Sequence, residues 1–207
     1  DWFRHVAGFA ANIGFQMEII GPNRIRELNP WLNIDGVLAG AHTTMDGHVD
    51  PASACNAMAA GARQMGATII RHNRVTGINR LASGGFEVIT EEGNVSCEHV
   101  VNAGGCYARE IGHWVGVETP IINMEHQYLV TEPLAAFQGA DTELPVMRDP
   151  ATAGYYRQEQ KAGLVGIYEH HGAKEAWAAR GGQPDWQSEN ELFEGDIDRI
   201  APWLEKA

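Results

Sequence analysis

The sequence predicts a mixed α/β (α+β) fold in two parts: a helix-and-strand layer first, then a mostly antiparallel sheet with helices. Three observations carry this. An Ala- and Gly-rich helical pattern beginning at Pro51 runs directly into the apolar, β-prone segment Ala67-Thr68-Ile69-Ile70. A second apolar run, Val100-Val101-Asn102, stops at Ala103-Gly104-Gly105, and another helical pattern starts soon after. From Thr119 the pattern changes to β-prone runs separated by long loops.

Taken in order, Asp1-Trp2-Phe3-Arg4 reads as helix interior, and Ile19-Ile20-Gly21-Pro22 closes that weakly amphipathic opening. Pro22 fits a first helical position, and the helix runs through Arg24 to Leu28 before Asn29-Pro30. Residues 35–50 form a loop rich in Gly, His, Thr and Asp. Asp50 is a natural cap for the next helix. Ala54, Met58, Gly61, Ala62 and Met65 then recur at helical spacing, and Gly66 supplies a left-handed stop. Its small side chains suit close packing on a sheet, so residues 67–70 are expected to be a buried strand.

Residues 86–90 and 95–97 around Glu91-Glu92-Gly93-Asn94 predict a hairpin. Residues 100–102 predict a strand, and Ala108, Ile111, Gly112 and Val115 one face of a helix. Later strands are expected at residues 121–122, 128–130, 144–147, 154–156 and 163–167. Residues 174–187 read as a loop or broken helix, and residues 196–204 as a helix.

At 207 residues the chain can bury one substantial core, or parts of two domains that share an interface. Its 44% hydrophobic and 20% charged residues are those of an ordinary globular protein. The formal charge of -12 excludes a nucleic-acid surface, since phosphate binding needs clustered Lys and Arg. The apolar stretch 51–62 is interrupted by Ser53, Asn56 and Gly61, and membrane insertion is not expected. Cys55, Cys97 and Cys106 lie far apart without CxxC spacing, so neither a disulfide framework nor a zinc site is expected. His170 and His171 are neighbours and share no face, and no metal site is assigned.

Four stretches carry candidate chemistry. In Val101-Asn102-Ala103-Gly104-Gly105, small residues after a strand allow close backbone approach to a ligand; a plain tight turn is the alternative. In Met124-Glu125-His126-Gln127-Tyr128-Leu129-Val130, strand alternation puts His126, Tyr128 and Val130 on one face. His126 is there either a general base or hydrogen-bond donor, or a core histidine satisfied by a carbonyl. In Gly154-Tyr155-Tyr156-Arg157-Gln158-Glu159, one tyrosine points to each face. Arg157 either grips a carboxylate or pairs with Glu159. Asp46, His48 and Asp50 have metal-like spacing, but a turn at Asp46-Gly47 and a cap at Asp50 account for them. Trp177 and Trp186 stand too isolated in sequence for a carbohydrate platform.

MDGHVDPASACNAMAAGARQMGA, VVNAGGCYARE, MEHQYLVTEP, ELPVMRD, and GYYRQE with GLVGIYE occur here in one order. Together they resemble the dimethylglycine dehydrogenase and sarcosine dehydrogenase branch of the D-amino-acid-oxidase-like (DAO) flavoproteins, from about residue 14 to about residue 204. The resemblance implies part of an FAD-binding Rossmann-like domain over residues 1–116, with an inserted loop. It implies a substrate-binding domain, truncated at its C-terminal end, over residues 117–207.

By the resemblance, Val75 matches a residue whose backbone contacts the adenine side of FAD. Asn102, Ala103, Gly104 and Gly105 match the small-residue turn that closes over the cofactor, and Tyr107 a bulky flavin-contacting residue. His126 and Tyr155 match a catalytic, substrate-lining His/Tyr pair, with Tyr156 and Arg157 as further substrate-side candidates. The implied reaction is oxidative demethylation of an N-methylated glycine, with hydride passing from the N-methyl carbon to flavin. Electrons then pass to an acceptor flavoprotein or to oxygen. The implied location is a bacterial cytoplasm or the mitochondrial matrix. A non-catalytic regulatory subunit of the same fold, similar to that of pyruvate dehydrogenase phosphatase, is the alternative.

Gly104 stands where the family usually has Ala, and Cys106 is unusual beside the aromatic Tyr107. The GxGxxG fingerprint, the segment with the histidine that links covalently to flavin, and the folate-binding region are not in this sequence. The chain therefore reads as an internal fragment, expected to bind FAD poorly or not at all by itself. Tetrahydrofolate is implied only through the folate-binding region.

Overall fold

The computed structural model describes residues 1–139, 142–188 and 191–207. Along the chain, helix α1 (Trp2–Asn12), strand β1 (Glu18–Ile20), helix α2 (Pro22–Leu28) and strand β2 (Gly40–His42) precede the long helix α3 (Pro51–Gln64). Strands β3 (Val75–Arg80), β4 (Phe86–Thr90) and β5 (Gly93–Cys97) follow, then a 3-10 turn (Gly105–Tyr107) continuing into helix α4 (Ala108–Trp114). Strands β6 (Met124–Glu125), β7 (Tyr128–Val130), β8 (Met147–Asp149), β9 (Gly154–Glu159), β10 (Ala162–Ile167) and β11 (Lys174–Glu175) lead to the last helix, α5 (Ile197–Leu204). Every strand pair among the described residues is antiparallel. No helix among them is long and apolar enough to cross a membrane.

The chain forms two compact units, one from Asp1–Pro51, Gln127–His170 and Asp196–Ala207, the other from Ala52–His126 and His171–Gly195. The first unit is built on a four-stranded sheet of order β7-β10-β9-β8. β9 and β10 form a hairpin in which Gln160 takes a left-handed φ of 55°. Ile167 and Ile200 are fully buried, so α5 packs its apolar face where β10 ends. Asp196 caps α5 by accepting from the Arg199 N–H at 3.2 Å. The Gln127 amide holds the same point from the sheet side. Its Oε1 accepts from Asp196 N at 2.9 Å, and its Nε2 donates to the Asp196 carbonyl.

The second unit contains the three-stranded meander β3-β4-β5, on which α4 packs, and the short pair β6-β11. The β4-β5 hairpin matches the sequence expectation. Gly66 ends the α3 turn at φ 93°, with Ala67 N–H donating back to the Ala62 carbonyl at 3.0 Å.

Several expected strands are not formed. Residues 67–70 and 100–102 have no ladder partner among the described residues, and Ile70 and Val101 are 60% and 87% exposed. Apolar β-branched residues make a segment suited to a buried strand, but a strand exists only where a neighbouring backbone completes its hydrogen bonds. Helix α3 likewise buries none of its residues. Residues 121–122 are likewise not a strand, and the strand expected at 144–147 lies at Met147–Asp149. The pair β1-β2 forms inside a region with weak β patterning, where Gly40 fits against the Ile25 side chain.

Candidate functional site

The residues expected on the cofactor side converge in the second unit. Val75, Ile78, Val88, Asn102, Ala103 and Gly104 line one cavity of about 320 Å³, with a mainly apolar wall. The turn that shapes it is fixed from inside. Asn102 Nδ2 donates to the Ala108 carbonyl at 2.9 Å, and its Oδ1 accepts from Gly104 N–H at 3.2 Å. One side chain thus fastens the turn to the first residue of α4.

Gly104 has a specific reason here. A Cβ on it would stand 2.5 Å from Ile111 Cδ1. Gly105 next to it takes a φ of 56°, a conformation open to glycine at little cost.

Tyr107 does not line this cavity. Its ring stacks on Trp186 at 4.7 Å and 10°, and its hydroxyl donates to the Asp185 carbonyl at 3.1 Å. Trp114 flanks the same indole at 5.8 Å, and the Arg74 guanidinium lies 5.9 Å from it. Trp186, isolated in sequence, is therefore the centre of an aromatic cluster. Its partners are far away along the chain, so no local pattern announces them.

The substrate-side candidates lie on β9, in the first unit. Tyr128, Gly166, Tyr155 and Arg148 form one row straight across β7, β10, β9 and β8. Tyr168, just beyond β10, tilts against Tyr155 with ring centres 5.6 Å apart. Burial raises the Tyr155 phenol above its ordinary value, as do the Tyr168 and Tyr128 phenols, against Arg157 and Arg148.

Tyr156 points to the opposite face, its hydroxyl 2.6 Å from that of the buried Thr152. Burial raises the Tyr156 phenol too, while the Thr152 hydrogen bond lowers it. Arg157 shares the Tyr155 face but is engaged, its guanidinium 2.5 Å from the Glu159 carboxylate. Of the two readings open for Arg157 in the sequence, the ion pair with Glu159 is the one formed.

His126 departs from the expectation. The run expected as one strand breaks at His126-Gln127, because β6 pairs with β11 while β7 pairs with β10. Alternation therefore cannot assign His126 to the face of Tyr128. His126 is exposed, which overturns its reading as a core histidine, and it ends one compact unit where Gln127 begins the other.

In the Asp46 loop, Asp46 Oδ1 accepts from Gly47 N–H at 2.8 Å, and His48 lies 3.3 Å from Glu143. Among the described residues, no three His, Cys, Asp or Glu side chains gather into a metal site. Arg148, Tyr128 and Tyr168 were not singled out in the sequence, since only the strand register brings them beside Tyr155.

The family model for FAD dependent oxidoreductases (DAO) matches residues 1–206. The chain is 40% identical to mitochondrial dimethylglycine dehydrogenase of Mus musculus over 192 residues, covering 91% of this chain and 22% of that protein. It is 30% identical to mitochondrial sarcosine dehydrogenase of Homo sapiens over 217 residues, covering all of this chain and 23% of that protein. In fold it is similar to L-proline dehydrogenase from P. horikoshii, with a TM-score of 0.75 at 24% identity, covering 99% of this chain and 51% of that one. The chain thus spans about a fifth of the length of the curated relatives it matches.

Proposed function

The chain belongs to the FAD dependent oxidoreductase (DAO) family, and on that premise we propose that it supplies the substrate side and part of the cofactor side of an enzyme oxidising an N-methylated glycine. The higher identity to dimethylglycine dehydrogenase than to sarcosine dehydrogenase carries this reading, with dimethylglycine as the first substrate to test.

The cavity beside Asn102 supports a cofactor role. Its volume is on the scale of small-molecule pockets, its wall is apolar, and its small residues admit a flat group close to the backbone. By this reading Val75 and the turn Asn102-Ala103-Gly104-Gly105 hold the adenine side of FAD, and Tyr107 stands nearer the flavin. When bound, the flavin supplies the hydride acceptor.

The protein's own residues prepare the amine. An ammonium nitrogen has no lone pair to stabilise the iminium carbon left when hydride departs, so the amine must react neutral. By the resemblance, His126 is the candidate base for such an amine and Tyr155 the candidate hydrogen-bond donor to the substrate. Tyr156 lies on the reverse face with its hydroxyl against that of Thr152, and Arg157, paired with Glu159, shares the Tyr155 face. Electrons leave to an acceptor flavoprotein or to oxygen; the named relatives are mitochondrial, and a mitochondrial matrix or bacterial cytoplasmic location is proposed for this enzyme.

The test is the full-length protein, purified and mixed anaerobically with dimethylglycine or sarcosine. A yellow protein whose colour bleaches on mixing is expected. Both His126→Gln and Tyr155→Phe should slow bleaching by about 10²-fold or more. A colourless protein that no methylated amine alters overturns this reading in favour of a non-catalytic regulatory subunit.

A further inference from the structure

We propose that the cavity between α1 and the β1-β2 pair is a binding site for a small alkylated ammonium ion, with Glu18 as its charge partner. The site goes beyond the oxidative reading and does not rest on it. None of its lining residues belongs to the four-stranded sheet or to the turn at Asn102.

Local rules build the cavity. Gly14, at a left-handed φ of 75°, reverses the chain at the end of α1. Its N–H donates to the Ala11 carbonyl at 3.1 Å, and the Phe15 N–H donates to the Ala10 carbonyl at 2.9 Å. The chain thereby returns along the helix into β1, and α1 packs on β1 and β2. Ala7 and Ala11, one turn apart on the same helix face, keep the helix wall low. The enclosed space is about 650 Å³, on the scale of small-molecule sites. Glu18 and His42 are direct cross-strand partners, so their side chains rise from one face, and both line the cavity.

The chemistry of the wall selects the ligand. Glu18 is its one acidic residue, and no Lys or Arg joins it, so the cavity favours a positive charge. A bare metal ion fits poorly. Glu18 and His42 could each ligate one, but no third His, Cys, Asp or Glu among the described residues completes a set. The Phe15 ring, the Met17 thioether and the two alanine methyls suit the alkyl groups of an organic cation better than a hydrated ion. The ring also attracts a cation that reaches its face. The His42 imidazole and the Thr44 hydroxyl remain for a polar group elsewhere on the ligand. A ligand carboxylate would meet Glu18, so zwitterionic amino acids are disfavoured here.

The experiment titrates the full-length protein anaerobically with tetramethylammonium chloride, read by calorimetry and by saturation transfer to the methyl proton signal. Dimethylglycine is present in excess, so that an amine site elsewhere is filled. The comparison ligand is tert-butanol, uncharged and of similar size. Tetramethylammonium is expected to bind, and tert-butanol to bind about 5-fold more weakly or worse. Glu18→Gln should weaken the ammonium by about 5-fold or more and leave the alcohol unchanged. Phe15→Leu should weaken it by about 2- to 5-fold. No ammonium binding to the unaltered protein overturns the proposal. So do equal affinities for the ion and the alcohol, and an ammonium affinity that Glu18→Gln does not change. If ammonium binding depends on Glu18 in a protein that no methylated amine bleaches, this site stands and the oxidative reading falls.

Discussion

The ring end of Tyr155 lies directly over Gly166, its cross-strand partner. A methyl group on Gly166 would stand 2.0 Å from Tyr155 Cζ and 2.3 Å from the hydroxyl oxygen. The mirror arrangement occurs on the reverse face, where a Cβ on Gly154 would stand 2.5 Å from the Tyr156 hydroxyl. Each glycine is the gap into which one tyrosine of the pair settles.

Gly166→Ala should therefore act on function more than on folding. The atoms it strikes are the far end of a side chain, which can swing away, so a stability loss of about 1–3 kcal/mol is expected. The displaced Tyr155 hydroxyl should lower kcat/KM for the methylated amine by about 10²-fold. Thermal melts and steady-state kinetics on the full-length protein check both. An unchanged kcat/KM would show that the position of the ring does not matter.

Raised phenol pKa values set a direction for alkaline stability. Tyr155 and Tyr156 lie above 10.0 in the folded protein, chiefly through burial. Above pH 10 the unfolded chain releases these protons before the folded one does. Their contribution is fully present below pH 10 and is lost as pH rises through the folded values. Urea denaturation between pH 8 and about 11.5 should show the decline, less steep in the double variant Tyr155→Phe/Tyr156→Phe. An equally steep decline in that variant would assign it to other groups.

The ion pair between Arg199 of α5 and Glu169 is 2.9 Å long, with side chains only 9% and 4% exposed. The two groups are close but poorly aligned for a hydrogen bond, so they are joined by charge alone. Arg199→Ala leaves Glu169 buried and unpaired and should cost about 3–5 kcal/mol. Arg199→Met with Glu169→Leu should recover most of that loss in chemical denaturation. A small effect of Arg199→Ala would mean that water reaches Glu169.

At the small-residue turn, Gly104→Ala drives a methyl group into Ile111 Cδ1, 2.5 Å away. A loss of about 1–3 kcal/mol is expected. Ile111→Val removes that δ-carbon at its own cost of about 0.5–1.5 kcal/mol. The double variant should be more stable than the two separate losses predict, by at least about 0.5 kcal/mol. Strict additivity in a double-mutant cycle would mean that this contact does not explain the glycine.

Much of the local structure is legible without coordinates. Pro22, the α3 repeat with Gly66, the Gly93-Asn94 hairpin and the tyrosine strand before Gln160 all announce themselves within a few residues. The resemblance also marks Val75 and Asn102 to Gly104, and four of those residues line one cavity. Less legible is anything that depends on a distant neighbour. Residues 67–70 and 100–102 have strand composition and no strand, while β1, β2, β3 and β11 form where no strand is expected.

The sequence by itself determined the family, the local elements whose signals lie within a turn or a hairpin, and the division of tyrosines 155 and 156 between two faces. That division follows from the two-residue period of a strand and needs no partner. Only the tertiary structure decided that the run around His126 breaks between two sheets, that Trp186 covers Tyr107, that Glu159 occupies Arg157, and that Arg148 stands opposite Tyr155. Each of these is a matter of ladder register or of packing between residues far apart in the chain. The free energy that fixes them comes from hydrogen bonds and contacts with groups that no local pattern encodes.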